Sequence, residues 1–301
     1  MNVEPVERLA NAILYEGYML YPYRPSSVKN RRRFNFGVLV PPAYSAIQSG
    51  SETSTMRTEC LVCGSPQASV DVRVRFLQVM PGSWQEAVER EVSLVDCRLG
   101  DLVAQARQTE LLAGESACPT IEGTLTLSAQ RLGDGLFLLS AHALNRTSIE
   151  GAEQLSRDEV LPYSLVAAHT ILAAREGEFV SLLDPPDAFR EAASQCQNIG
   201  TWPILVGHPG ARDAMLSSPI ILYDYAQVAP ESPGDLFDGA EIDEILTLRI
   251  MTLTDEEKRE MSQSDERARQ MLERTENMPV EQLMKLHGVL RTLRPLKEGT
   301  R

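Results

Sequence analysis

The chain has 301 residues, a formal net charge of −13 and a hydrophobic fraction of 43%. Such a length and apolar content allow one large domain or two smaller ones with a buried core. The negative charge opposes non-specific binding to nucleic acid and to anionic membranes, and no apolar run is long enough to span a membrane. The N-terminus lacks a signal-peptide pattern and the five cysteines fit reduced thiols, so we expect a cytoplasmic protein.

Near the N-terminus, helical spacing of apolar residues at 5–20 predicts a helix. The overlapping stretch 15–37, YEGYMLYPYRPSSVKNRRRFNFG, is rich in tyrosine and cations although the rest of the chain is acidic. Guanidinium groups and rings suit anions, carboxylates and flat ligands, so this stretch is a candidate recognition segment. The alternative is a solvated basic turn with packed tyrosines. The candidate binding residues are Tyr21, Tyr23, Arg24, Arg31, Arg32 and Arg33.

An antiparallel β-rich region is predicted at about 57–150, where apolar and polar residues alternate. One half-buried strand covers 70–76, and the second half of 84–96 favours another strand. Two further β runs flank a Gly-Asp-Gly tip at 133–135, which is typical of a hairpin. Residues 101–113 indicate a short helix or a loop.

From about residue 158 the pattern changes to mixed α and β elements. It predicts a helix at 162–175 and strands at 202–207 and 219–223. A polar stretch at 148–158 is the best boundary candidate between a region 1–150 and a region 151–301, which could also form one compact unit.

A helical tail is predicted from about residue 238. Thr254 and Glu257 have the spacing of a capping box, ahead of a mostly charged helix at 255–277. The fold class that we expect is therefore α+β: an antiparallel β-rich region, then mixed elements, then a helical tail.

Six acidic residues crowd the segment 230–244. The segment lacks the calcium-loop pattern, so capping and solvation of a helix start compete with a patch that faces a partner. Such a patch could pair with the arginines near the N-terminus, either within the chain or across an interface. The acids proposed for this contact are Asp235, Asp238 and Glu241.

No motif in the chain names a reaction. Cys60 and Cys63 form one CxxC pair, whereas a structural zinc site commonly needs two such pairs, and no two histidines have metal-clamp spacing. Phosphate-loop, dinucleotide, nucleophile-elbow and zinc-protease motifs are absent. We therefore assign no catalytic residue, no metal ligand and no cofactor.

Two phrases carry a resemblance to a known family. They are LANAILYEGYMLYPYRPSSVKNRRRFNFGVLVPP at 9–42 and SSPIILYDYAQVAPESPGDLFDGAEIDEILTLRIMTLTDEEKREM at 217–261. Both resemble an uncharacterised bacterial family associated with gene clusters for nickel–iron uptake hydrogenases and their maturation. The resemblance implies a setting, hydrogenase assembly or function, and no mechanism.

We expect an accessory or interaction protein, for example an assembly factor for a nickel–iron hydrogenase. Its partner would be another protein, such as a hydrogenase subunit or maturation factor. Two alternatives stay open. One is a metal-dependent enzyme with Cys60, Cys63 and His208, or the acids at 235–244, as ligands. The other is a small-molecule binding module built on the arginine- and tyrosine-rich segment.

Overall fold

The computed structural model describes residues 3–25, 27, 30, 33–82, 86–114, 118–228, 234, 236 and 243–286. The chain forms two compact units, one of Met1–Met19 with Arg32–Val228 and the other of Leu20–Arg31 with Ala229–Arg301. The first holds the strands and the second holds the C-terminal helices, so the α+β class is confirmed. No described helix is long and apolar enough to cross a membrane. The predicted boundary at 148–158 lies inside the first unit.

The larger unit is built on one antiparallel sheet. Its neighbouring strands run in the order third, fourth, fifth, first, sixth, eighth and seventh, and the second also pairs with the first. The strands found among the described residues are β1 (Thr55–Val79), β2 (Ala87–Arg98), β3 (Arg107–Ala113), β4 (Ile121–Gly133), β5 (Leu136–Asn145), β6 (Val166–Phe179), β7 (Trp202–Leu205) and β8 (Ala214–Ser218).

Strand β1 is long and joins two halves of the sheet. Residues 55–63 pair with β5, and residues 69–79 pair with β2 on the same edge. Strand β6 lies along the opposite edge. Between the halves, residues 65–67 are exposed and the register with β6 shifts, which is where a bulge bends a strand. The strand predicted at 70–76 is thus one part of β1.

The inner faces of both halves share one hydrophobic core. Met56 from the first half of β1, Val72 from its second half and Leu125 from β4 all belong to it. Helix α3 (Leu99–Ala104) contacts β1 and β4 and adds Leu99 and Leu102 to the same core. Because side chains alternate along a strand, the intervening residues of β1, β4 and β5 face away from this core.

Helix α1 (Val3–Leu14) covers the outer face of the second half of the sheet. Its residues Leu9 and Ile13 cluster with Ile171 of β6 and Leu216 of β8. Their four-residue spacing places both on one helix face, as the N-terminal pattern predicted. The predicted helix is therefore confirmed, although it ends at Leu14. The short helices of the same unit are α2 (Pro42–Ile47), α4 (Arg157–Val160) and α5 (Arg190–Ser194).

The helix predicted at 162–175 is wrong, since β6 occupies most of that range. All residues from Val166 to Leu172 are buried, because the core lies on one face of the strand and α1 packs on the other. A strand that is buried on both faces loses its polar–apolar alternation, and its apolar run then looks like a buried helix.

Other predicted elements of this unit have mixed outcomes. Strand β2, the β4–β5 hairpin and strand β7 confirm three predictions. The strand predicted at 219–223 is wrong, because the chain is already paired with β7 just before it, in β8. The range 101–113 contains the end of α3 and an edge strand, β3, rather than a helix or loop alone.

The smaller unit contains the helices α6 (Asp243–Met251), α7 (Asp255–Ser264), α8 (Glu266–Glu276) and α9 (Val280–Lys285). The capping box is confirmed: the Thr254 hydroxyl accepts from the amide of Glu257, whose carboxylate accepts from the amide of Thr254. The single helix predicted at 255–277 is divided, because Asp265 is extended and its side chain caps α8 by accepting from the amide of Ala268.

Candidate binding site on the outer face of the sheet

The arginine-rich segment near the N-terminus contributes a structural residue to the larger unit. Arg33 is buried, and its guanidinium group lies 4.6 Å from the ring centre of Phe34 and donates to the carbonyl oxygen of Tyr18 at 3.2 Å. These contacts hold the cation between a ring and a backbone acceptor. Arg33 is therefore part of the packing of this segment.

Tyr21, Tyr23 and Arg24 belong to the smaller unit. Arg24 forms ion pairs with Glu257 at 3.2 Å and with Glu260 at 3.7 Å, both on α7. The Tyr21 and Tyr23 rings meet edge to face at 6.0 Å, and Tyr23 is buried. The acids that Arg24 meets inside the chain are thus on α7.

The remaining residues nominated from the sequence, Arg31, Arg32, Asp235, Asp238 and Glu241, lie outside the described residues. In the part that the structure describes, Arg33 lies in one unit while Tyr21, Tyr23 and Arg24 lie in the other. The described members of the nominated set consequently do not form a single site within one unit.

The CxxC pair lies within β1. Cys60 pairs with Leu139 and faces the core, whereas Cys63, three residues on, falls on the opposite face because strand side chains alternate. Burial raises the pKa of both thiols, which disfavours the thiolate that binds metals. His208 lies in an exposed turn after β7. Across the described residues, no three His, Cys, Asp or Glu side chains are placed to hold a metal ion.

A groove of about 380 Å³ opens on the outer face of the first half of the sheet, across β4, β5 and β1. This volume is at the small end of the range of about 300–1,000 Å³ for ligand pockets. Most of its lining is polar. We call it the outer groove, and its residues are Arg57, Glu59, Thr126, Ser128, Ala129, Gln130, Leu138, Ser140 and His142.

The register of the strands arranges these side chains in rows. Arg57 lies opposite His142, which lies opposite Thr126. The next row joins Glu59, Ser140 and Ser128 in the same way. A third row, less polar, joins Leu61, Leu138 and Gln130. Neighbouring residues of a row are about 4.5–5.5 Å apart, close enough for one ligand to contact a whole row.

Arg57 is the half-buried cation of the first row. Its side chain forms no ion pair or hydrogen bond with any residue that the structure describes. Burial, and next the charge of Arg57, lower the pKa of His142, so this imidazole is neutral at pH 7. A ring nitrogen of His142 lies at hydrogen-bond distance from the Thr55 hydroxyl. The row therefore holds a fixed positive charge beside uncharged hydrogen-bonding groups.

Glu59 is the half-buried anion of the second row. One of its carboxylate oxygens accepts from the backbone amide of Gln197 at 2.7 Å, so the chain after α5 holds the side chain in place. Asn198 continues this contact, because its side chain bonds the backbone of Glu59 in both directions. Two hydroxyls, those of Ser128 and Ser140, complete the row.

The other outer face of β1 is closed by α1. Arg75 donates to Glu7 at 3.2 Å, to Asn11 at 2.8 Å and to Glu89 at 3.2 Å, and Arg73 also pairs with Glu7. We call Glu7, Asn11, Arg73, Arg75 and Glu89 the α1 network. Every charged residue of this network has a partner within the fold. This face therefore has no charged group left to bind a ligand among the network residues.

His169 lies opposite Arg75 and is fully buried. Its Nδ1 contacts the carbonyl oxygen of Ala167 at 2.9 Å, and the fold provides Nε2 with no partner among the described residues. Burial lowers the pKa of His169 to about 4. The residue is therefore a neutral packing group under ordinary conditions, as a histidine in an apolar run usually is.

The outer groove was missed from the sequence, although part of its signal was present. Thr126, Ser128, Ser140 and His142 alternate with apolar residues in the predicted hairpin, and that alternation places them on one face. Arg57 and its neighbours could not be added, because the pairing of β1 with β5 joins residues about 80 positions apart and leaves no local pattern. No known family model and no curated protein sequence matches the chain.

Proposed function

We propose that the protein is an accessory protein that binds a protein partner, and that the outer groove is its recognition surface. The observation that carries the proposal is Arg57: a half-buried arginine that has no counter-ion among the residues the structure describes, held in an open and polar groove. An arginine is planar and presents paired donors, which suit a carboxylate.

Partial burial of the Arg57 cation costs free energy as long as no acid is bound beside it. A cation that is partly removed from water loses hydration, and an acid that binds beside it restores the lost interaction. The neutral His142 and the serines of the second row offer further hydrogen bonds. Such a surface favours specific recognition over tight apolar association.

The setting that we propose is the assembly of a nickel–iron hydrogenase in the cytoplasm. It rests on the resemblance carried by residues 9–42 and 217–261. The partner would be a hydrogenase subunit or a maturation factor. A charge of −13 also supports a protein partner over nucleic acid.

A second candidate function is the binding of a small polar molecule, and the size of the groove favours it. At about 380 Å³ the outer groove is within the range of pockets that hold small ligands. In this case the candidate site is the outer groove and not the arginine- and tyrosine-rich segment near the N-terminus.

The test of the proposed function is partner capture. The tagged chain is purified under mild conditions from a bacterium that carries an uptake-hydrogenase gene cluster, and the bound proteins are identified by mass spectrometry. We expect a hydrogenase subunit or maturation factor with the wild-type chain and at least a tenfold smaller yield with Arg57→Glu, because the acid that Arg57 attracts would then be repelled.

The matched control is Arg131→Glu, which changes an exposed arginine near the tip of the β4–β5 hairpin, outside the groove lining. It should capture the partner as the wild-type chain does. Capture of no hydrogenase protein would contradict the hydrogenase setting, and equal capture by the Arg57 and Arg131 variants would contradict the role of the groove.

A further inference from the structure

The outer groove contains two opposite charges at a fixed spacing. Arg57 and Glu59 are two residues apart on β1, so their side chains share one face, about 7 Å apart along the strand. They do not form an ion pair with each other, and neither forms one with another side chain that the structure describes. Each charge is thus open to a ligand.

Each charge is also supported by uncharged groups in its own row. Arg57 has His142 across the neighbouring strand, which can hydrogen-bond an acid held by the guanidinium group, and the same row ends in Thr126, whose hydroxyl donates to Gln108. Glu59 has the hydroxyls of Ser140 and Ser128, and the amide of Gln197 fixes one of its oxygens. The second oxygen of Glu59 has lone pairs for a cationic donor.

We propose that the outer groove binds an extended peptide segment that carries an acidic residue and, two positions further along, a basic residue. The acid pairs with Arg57 and the base with Glu59. This inference rests on the proposed function, since it names the chemistry of the partner segment.

The spacing supports a peptide in the extended conformation. Residues i and i+2 of a strand lie about 7 Å apart on one face, which equals the spacing of Arg57 and Glu59 along β1. The two charges of such a segment can therefore meet both groove charges at once. A free zwitterion of similar length has the same chemistry, and the experiment separates the two.

The experiment measures the binding of short capped peptides to the full chain by calorimetry or by NMR shifts. The probes are N-acetyl-Thr-Asp-Thr-Lys-Thr-amide, the same peptide with Asn for Asp, and the same peptide with Gln for Lys. Free glycylglycine is the small zwitterion. Arg57→Gln and Glu59→Gln are compared with the wild-type chain, with Arg131→Gln as the matched control.

With the wild-type chain, we expect each neutralised peptide to bind about tenfold more weakly than the charged one, the effect of one charge-assisted hydrogen bond. In Arg57→Gln the Asp-to-Asn change should cost nothing, and in Glu59→Gln the Lys-to-Gln change should cost nothing. Arg131→Gln should behave as wild type. Unchanged peptide preferences in the two groove variants, or no binding of the charged peptide at millimolar concentration, would overturn the inference.

Tighter binding of glycylglycine than of the charged peptide would also overturn it, in favour of a small zwitterion. Circular dichroism of each variant confirms that the fold is retained, since both substituted side chains are half-exposed.

The outcome of the peptide experiment is separable from that of partner capture. Capture that depends on Arg57 without peptide binding would keep the proposed function and reject this inference, and peptide binding without capture would do the reverse.

Discussion

Arg57 and Arg75 both lie on the outer face of β1, one in each half of the sheet, but their surroundings differ. Arg75 is covered by α1 and meets Glu7, Asn11 and Glu89, whereas Arg57 lies in the open groove and forms no ion pair within the described part of the chain. The residue type and the strand are the same. What differs is the set of partners: where α1 and β2 supply acids, the cation stabilises the fold, and where the described residues supply none, it is available to a ligand.

Acid should destabilise the fold through a histidine on the closed face. His169 beneath α1 has a pKa of about 4 in the folded chain against an ordinary value of 6.5, so the unfolded state binds its proton first as the pH falls. The contribution of the neutral His169 to stability is fully present above pH 6.5 and decreases by about 3 kcal/mol towards pH 4, at about 1.4 kcal/mol per pH unit. Urea unfolding at several pH values measures this.

The His169→Gln variant should remove most of that slope, whatever its own stability. The His142→Gln variant is the matched control on the open face. The pKa of His142 is also lowered, but the residue is only half-buried, so its removal should flatten the slope less. The prediction would be wrong if His142→Gln changed the slope of unfolding free energy against pH more than His169→Gln did.

The arginine pair tests the comparison directly. Arg75→Ala should lower the free energy of unfolding by about 2–3 kcal/mol, because Glu7 and Glu89 each lose one charged partner, although Glu7 keeps Arg73 and Glu89 keeps the Tyr15 hydroxyl. Arg57→Ala should change it by less than about 0.5 kcal/mol. The urea midpoints of the two variants, at unchanged m-values, measure these losses. Equal losses of unfolding free energy would mean that Arg57 stabilises the fold as Arg75 does.

A smaller effect should follow from the tyrosine that extends the α1 network. The Tyr15 hydroxyl donates to the carboxylate of Glu89. Tyr15→Phe keeps the buried ring and removes this charged hydrogen bond, so we expect a loss of about 1–2 kcal/mol in unfolding free energy. The control is Tyr223→Phe, at an exposed position of the same unit, which should leave the urea midpoint unchanged.

The hydroxyls of the open face should contribute least. Ser128→Ala and Ser140→Ala each remove a half-exposed group of the second row, and we expect changes within about 0.5 kcal/mol in unfolding free energy. The same variants should weaken binding of the charged peptide. A destabilisation above 1 kcal/mol, read from thermal or urea unfolding, would show that these hydroxyls serve the fold instead.

Local patterns sufficed for the elements that have one solvated face. The apolar spacing of α1, the turn between β4 and β5 and the capping box at Thr254 were all readable, because each depends on residues within a few positions of one another. Strand β6 was not, since layers on both of its faces removed the alternation that marks a strand.

The candidate site was less predictable than the fold. Arg33 looked like a recognition residue because the sequence displays its charge, but the structure buries it against Phe34 and the backbone of Tyr18. Arg57 was not predicted to be a binding residue, because a single arginine in an alternating strand is common. Charge in a sequence shows which residues could bind, and only burial and partners show which ones the fold has already used.

The sequence by itself determined the α+β class, the N-terminal helix, the hairpin and the capping box at Thr254, since each follows from backbone and side-chain preferences over short distances. Tertiary structure alone decided which outer face of β1 is closed. One acid that pairs with Arg75 is Glu7, 68 residues away, and the histidine beside Arg57 comes from β5. Pairings over such distances arise from the register of the sheet and the docking of α1, which no local pattern encodes.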